Sequence, residues 1–348
     1  GGCQSKFSSP IGLNTENAAC FQDRPSIKAQ KCISGVYDFG PSTWVINTEA
    51  WNGDVNQADF TVDNDKMANI ELGQGNAKLW LRPSNSTTTP GFGVRVSSTS
   101  YLLYGTFSVK LLGGAPAGMV TTFISMSDVK DEIDWEFTGG LYTQAQTNIF
   151  NKLIDGGDID YSKGQKFPVA DWSTTVSEYT IAWSQTKIDF LINGQLVRTY
   201  DASAGGFPNT PSRVQFAVWD GANGQPEGTR SWSMGGAPGY LDWGPGGAQG
   251  YSASISQVTI QCADDPVPVG PPVRPEGYKA PTLKDKSMNV AVYGLTGSDY
   301  FPVGRPAEVV TQPVPGPSST STATQNNNID PTKPTSSATI EPEEVESS

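Results

Sequence analysis

The chain has 348 residues, a formal net charge of −12 and no histidine. The negative charge repels phosphate backbones and anionic lipid, which argues against nucleic acid and bare membrane surfaces as partners, and the missing imidazole excludes Ser/His/Asp and Cys/His catalysis. Acid–base chemistry must therefore fall to carboxylates, Lys or Tyr, while 38 glycines, 26 prolines and a hydrophobic share of only 36 % imply many turns and a segment without a core.

Residues 1–33 carry Cys3, Cys20 and Cys32 with little periodicity and read as a disulfide-tied N-terminal arm. With Cys262 the cysteines number four and form no CxxC pair, which suits two disulfides in an oxidising compartment. Three connectivities are open. Cys32 precedes the first strand-like run and Cys262 ends the last; edges that meet in a closed sandwich favour Cys32–Cys262 with Cys3–Cys20. No apolar run approaches the ~20 residues that span a bilayer. No signal peptide stands at Gly1, so a secreted form is expected to have lost it already.

From residue 34 to 262 the pattern is that of a β protein, with short runs of Val, Ile, Thr, Phe, Tyr and Trp separated by Gly, Asn, Asp and Pro. Strands are predicted at 69–72, 77–82, 92–96, 104–112, 119–125, 132–138, 144–150, 177–184, 187–192, 195–200, 212–218 and 253–261. Asn193-Gly194 between two of them supplies the positive φ angles of a tight hairpin. Long amphipathic helical patterns are absent. The expected fold is all-β: two antiparallel sheets packed as a sandwich or jelly roll.

The run Asp131-Glu132-Ile133-Asp134-Trp135-Glu136-Phe137 alternates acid and apolar residues from Glu132 onward. On a strand, Glu132, Asp134 and Glu136 share one face and Ile133, Trp135 and Phe137 the other, so the apolar set can pack between sheets and leave three acids on the open face. Such crowding should raise the proton affinity of at least one carboxyl. A solvated acidic edge is the plain alternative, but three acids without a counter-charge are an unfavourable way to gain solubility. Retaining glycosidases need two carboxyl groups roughly 5–5.5 Å apart, one attacking the anomeric carbon and one moving the proton. The Cα atoms of Glu132 and Glu136 would lie about 13 Å apart on an ideal strand, so their side chains must lean together over a sugar. Strand chemistry leaves open which glutamate plays which part.

DEIDWEF resembles the ExDxE signature of glycoside hydrolase family 16. The neighbouring segments match in order: Tyr104-Gly105-Thr106-Phe107 before it, Gln146-Thr147-Asn148-Ile149-Phe150 after it, then Tyr179 to Trp183 and Ile192-Asn193-Gly194-Gln195. Within the family the likeness is to the fungal Crh-like cell-wall transglycosylases, which join chitin to β-glucan and carry Ser/Thr-rich, often lipid-anchored tails. The resemblance implies Glu132 as nucleophile, Asp134 as its auxiliary acid and Glu136 as general acid/base. It implies a cell-wall polysaccharide as donor and acceptor, no cofactor, and a monomer. A hydrolytic endo-β-glucanase would use the same carboxylates, and a non-catalytic wall lectin could use the same scaffold.

Sugar rings stack on aromatic faces, so Trp219, Trp232 and Trp243, set among glycines, are candidate substrate-binding residues, as are Gln146 and Asn148 on the strand after the acids. Trp44, Trp51, Trp80, Trp172 and Trp183 read as core. Residues 155–160 have calcium-loop residue types without the spacing or terminal Glu of an EF-hand, so no metal site is assigned. Asn85-Ser86-Thr87 is the one N-glycosylation sequon. After Cys262 the composition becomes rich in Pro, Ser and Thr, which predicts a disordered stalk over 263–348 with at most a weak strand at 288–293. Small residues close this polar stretch, as they would after removal of a glycolipid-anchor signal, so attachment to the outer membrane face or wall is expected.

Overall fold

The computed structural model describes residues 31–276, apart from 63–68, 74, 152–159, 245–246, 248 and 275. Two mostly antiparallel sheets, with strands numbered in chain order, pack face to face. One runs β14 (Gln195–Asp201), β13 (Lys187–Ile192), β12 (Ser177–Trp183), β7 (Gly105–Leu112), β16 (Tyr251–Cys262), β5 (Asn76–Leu81), β4 (Ile70–Gly73), with β1 (Gly35–Tyr37) also paired to β16. The other runs β11 (Gln165–Pro168), β10 (Gln144–Phe150), β9 (Glu132–Thr138), β8 (Met119–Ser127), β15 (Ser212–Asp220), β6 (Val94–Ser98), β3 (Phe60–Val62), β2 (Val45–Asn47). The expected all-β sandwich is thus what forms.

The sequence alternation sets which face of β9 looks inward. Ile133, Trp135 and Phe137 are fully buried in the inter-sheet core. The Trp135 ring lies 5.3 Å from Tyr179 and 5.5 Å from Phe190, and its indole N–H donates to the Thr180 carbonyl of β12 at 3.2 Å. Phe137 meets Tyr179 at 4.6 Å. Each such side chain contributes about 1.5–3 kcal/mol on burial. A one-residue slip would drive the acids into the core, so this packing specifies the register.

The Asn193-Gly194 hairpin forms as expected, with φ of 48° and 78° at the two turn residues. Strands β1, β2, β3 and β11 were not anticipated. The first three are only three residues long, too short for a period of two to show, and β11 is a half-polar edge strand, Gln-Lys-Phe-Pro.

Of the tryptophans expected in the core, Trp172 and Trp183 are buried there, but Trp44, Trp51 and Trp80 are not. Trp80 falls on the opposite parity of β5 from the core residues Ala77, Leu79 and Leu81, and so lies outside between Lys78 and Arg82, whose charges stand 4.1 and 4.2 Å from its ring. Trp44 lies under the Arg274 guanidinium, 3.5 Å from its centroid.

Cys32 and Cys262 are bridged, their Cα atoms 5.9 Å apart, which matches the favoured pairing; Cys3 and Cys20 lie outside the described residues, as does the stalk from 277 on. The chain does not leave the sandwich at Cys262. The Gly270 carbonyl accepts from Val36 N–H at 2.9 Å, and Arg274 pairs with buried Asp59, which also accepts from Trp44 N–H at 2.7 Å.

Burial pushes the Asp59 carboxyl up to about 6, more than the Arg274 charge pulls it down. Between about pH 4 and pH 6 the native protein therefore holds a proton that the unfolded chain has released, so stability falls as pH rises through that window. At 1.36 kcal/mol per unit, Asp59 accounts for at most about 3 kcal/mol. Urea midpoints measured from pH 4 to pH 7 should decline, and Asp59→Asn should flatten much of that decline.

Candidate active site

Glu132, Asp134 and Glu136 lie on the face of β9 turned away from the core. The registers of the flanking strands give each acid its own pair of neighbours. Phe150 and Met126 flank Glu132, Asn148 and Ile124 flank Asp134, and Gln146 and Thr122 flank Glu136. The nucleophile position expected at Glu132 thus has apolar walls, while Asp134 has one polar neighbour and Glu136 two. Asp131, the fourth acid of the motif, has a different job. Its carboxylate accepts from Thr210 Oγ1 at 2.7 Å and Asn209 N–H at 3.3 Å, which ties the start of β9 to the loop before β15.

The sequence predicted acids on an open face, but the three are buried, with exposures of 0 %, 0 % and 2 % in chain order. Long neighbours on both flanking strands crowd them. Burial, and secondly the charge of Glu132, holds the Glu136 carboxyl well above the ordinary carboxylate range. Glu136 therefore holds its proton more tightly than an ordinary carboxyl, beside a second acid on the same face, which suits it to the proton-donating part of a two-carboxyl mechanism.

Among the described residues, the buried polar atoms Glu136 Oε1, Thr122 Oγ1, Gln215 Oε1 and Trp219 Nε1 on this face have no hydrogen-bond partner. Gln215 and Trp219 belong to β15, on the parity opposite to the core residues Val214, Phe216 and Val218. Burying such atoms unpaired costs roughly 1–3 kcal/mol each, so a row of them marks a surface that gains by meeting hydroxyl groups. Thr122 and Gln215 were missed in the sequence because neither residue type is diagnostic; only the register shows that they share the acids' face.

A seven-residue helix, α1 (Glu227–Ser233), closes one end of this face. Its Trp232 stacks on Trp219 at 6.0 Å and donates its indole N–H to Gln146 Oε1 at 2.8 Å, while Gln146 Nε2 donates to Thr138 Oγ1 at 3.1 Å. Gln146 is thus spent on holding Trp232 rather than left open for a ligand. The β9–β10 turn abuts the end of this helix at Gly140, where an added Cβ would stand 2.5 Å from the Met234 carbonyl, so glycine sets the distance between helix and strand. Asn148 pairs opposite Asp134, on the acids' side of β10, and its Oδ1 accepts from the Ile149 backbone N–H at 2.9 Å.

Trp243 stacks on Tyr251 at 5.5 Å and lines a groove beside Asn85. Trp51, expected in the core, is half-buried under Arg213 at 5.5 Å, and Arg213 lies on the acids' face of β15 opposite Met126. Residues 152–159, most of the calcium-like loop, lie outside the described residues. Among those described, no group of His, Cys, Asp or Glu is arranged to hold a metal ion.

The model of glycosyl hydrolases family 16 matches residues 47–243. Crh-like protein 2 of Aspergillus fumigatus is 32 % identical over 250 residues, covering 65 % of this chain and 53 % of its own, and Crh-like protein UTR2 of Candida albicans is 32 % identical over 197 residues, 54 % and 40 % respectively. The chain thus spans about half the length, or less, of these relatives. Among solved structures, a Crh5 transglycosylase without ligand is 27 % identical with a TM-score of 0.53, over 68 % of this chain and 88 % of that one. The same enzyme in complex with NAG matches at 25 % and 0.53, over 69 % and 91 %.

Proposed function

We propose, for a chain that belongs to family 16 of the glycosyl hydrolases, that it is a retaining transglycosylase acting on cell-wall polysaccharide, chitin or β-glucan. The observation that carries the reading is the buried Glu136, its carboxyl raised by burial and by the Glu132 charge, sharing one strand face with Glu132. The Glu132 carboxylate attacks the anomeric carbon of the donor. Glu136 gives its proton to the departing glycosidic oxygen, and an ester joins Glu132 to the donor sugar. An acceptor hydroxyl then attacks that carbon, Glu136 takes its proton back, and the ester opens. Asp134 stands between the two and biases both charges. Thr122, Gln215 and Trp219 offer their unpaired polar atoms to sugar hydroxyls, and Trp219 and Trp232 offer ring faces.

Transfer rather than hydrolysis is supported by likeness to a solved Crh5 transglycosylase and to curated Crh-like proteins. The reading includes secretion to an oxidising setting, which the Cys32–Cys262 bridge supports. Incubation with chito- and laminari-oligosaccharides tests it. Transfer gives longer or mixed chains by mass; products that are only shorter would replace it with a glucanase, and unchanged substrates with a wall lectin.

Trp232→Phe should keep the stacking on Trp219 and lose the bond to Gln146. A lost hydrogen bond of about 0.5–1.5 kcal/mol should raise KM by roughly 2- to 10-fold with kcat nearly unchanged. Initial-rate kinetics on an oligosaccharide donor would show it; an unchanged KM would remove Trp232 from the binding surface.

A further inference from the structure

Asn85 is exposed in the loop after β5, within Asn85-Ser86-Thr87, and it lines a groove of about 460 Å³ whose other side is formed by residues 240–244. That volume falls within the ~300–1,000 Å³ range of small-molecule sites. The far wall is aromatic and held in place. Tyr240 is 43 % exposed, with the Arg230 guanidinium 4.8 Å from its ring and an Arg230 N–H donating to its hydroxyl at 3.3 Å. Trp243 is fixed by Tyr251 on one side and by Gly91, where a Cβ would meet its ring at 2.6 Å. Between them Leu241 is buried, and its carbonyl accepts from Asn223 Nδ2 at 3.2 Å.

We propose that Asn85 carries an N-linked glycan whose first N-acetylglucosamine lies in this groove against Tyr240 and Trp243, bonding the loop after β5 to the segment that continues from α1. The modification forms a bond from Asn85 Nδ2 to C1 of the sugar. The C1–oxygen bond to the diphosphate of a lipid-linked oligosaccharide breaks, and one amide proton leaves. The sequon itself names the occupant: a sugar attached at Asn85 is held beside the aromatic wall at high effective concentration and needs little intrinsic affinity. Its C–H face meets a ring, and its acetamido group meets the polar loop of Ser84 and Ser86. Arg230 and Trp232 lie on the same short helix, so the glycan braces the support of the Trp232 shelf. This site is independent of the chemistry assigned to β9.

The test is the full chain secreted from a eukaryotic host, with the Asn85 peptide read by mass. Three forms are then compared by thermal unfolding: intact, trimmed to one N-acetylglucosamine by an endoglycosidase, and stripped by a peptide amidase. The trimmed form should match the intact one, and the stripped form should melt about 2–4 °C lower. Tyr240→Ala should lower Tm more in the trimmed protein than in the stripped one, and Asn85→Gln should unfold like the stripped wild type. An unmodified Asn85 peptide, or a Tyr240→Ala effect equal in both forms, would overturn the proposal. So would a stripped protein whose groove instead binds free chitin oligosaccharide, lost in Tyr240→Ala, without any change in Tm.

Discussion

Glu132→Gln is expected to lower glycan transfer by on the order of 10⁴- to 10⁶-fold, the scale reached when the nucleophile of a covalent mechanism is removed. An amide does not form the glycosyl ester, so a better leaving group on the donor offers no rescue. The fold should survive, because Glu132 faces away from the core and the register of β9 is set by Ile133, Trp135 and Phe137. Activity on oligosaccharides and on an aryl glycoside, measured on protein with unchanged Tm, checks this. Recovery of the aryl glycoside reaction in Glu132→Gln would reverse the two glutamate roles.

Glu136→Gln is expected to lose about 10²- to 10⁴-fold on natural glycan, the usual contribution of general acid catalysis. On a donor with an activated leaving group, formation of the glycosyl-enzyme should continue, because that leaving group departs without a proton. The pH profile should change in the same sense. Burial and the Glu132 charge raise the Glu136 carboxyl, whose active form in the first step is the protonated one. In the native enzyme kcat/KM therefore falls as pH rises through that raised value, and Glu136→Gln should show no such basic limb. A limb that persists would assign it to another group.

The sandwich was legible because its strands repeat one signal, apolar residues every second position, and β9, β10 and β13 begin and end where that signal does. The catalytic face was legible for the same reason, since a period of two decides faces without any tertiary knowledge. What the sequence concealed was what packs across. Trp80 looks like a core residue by type, and only the parity of β5 puts it outside. Trp51 and Trp44 sit near strands whose three-residue length carries no pattern, so their neighbours Arg213 and Arg274, distant in sequence, could not be foreseen. Trp243 was grouped with Trp219 and Trp232 because all three stand among glycines, yet its ring partner is Tyr251 while theirs is each other. Burial of the acids was missed as well, because it depends on neighbours set by the register of β8 and β10 and on Trp232, which is distant in sequence and reaches Gln146 beside Glu136.

In the proposed reaction Glu132 forms a bond to the donor sugar while Glu136 manages the proton. Glu136→Gln incubated with an activated chitobiosyl or laminaribiosyl donor, quenched in acid and digested, tests it most directly. A peptide containing Glu132 should be heavier by one disaccharide unit, and the Glu132→Gln/Glu136→Gln double variant should carry no such adduct. Donor turnover with no adduct, or an adduct mapped to a peptide lacking Glu132, would contradict it.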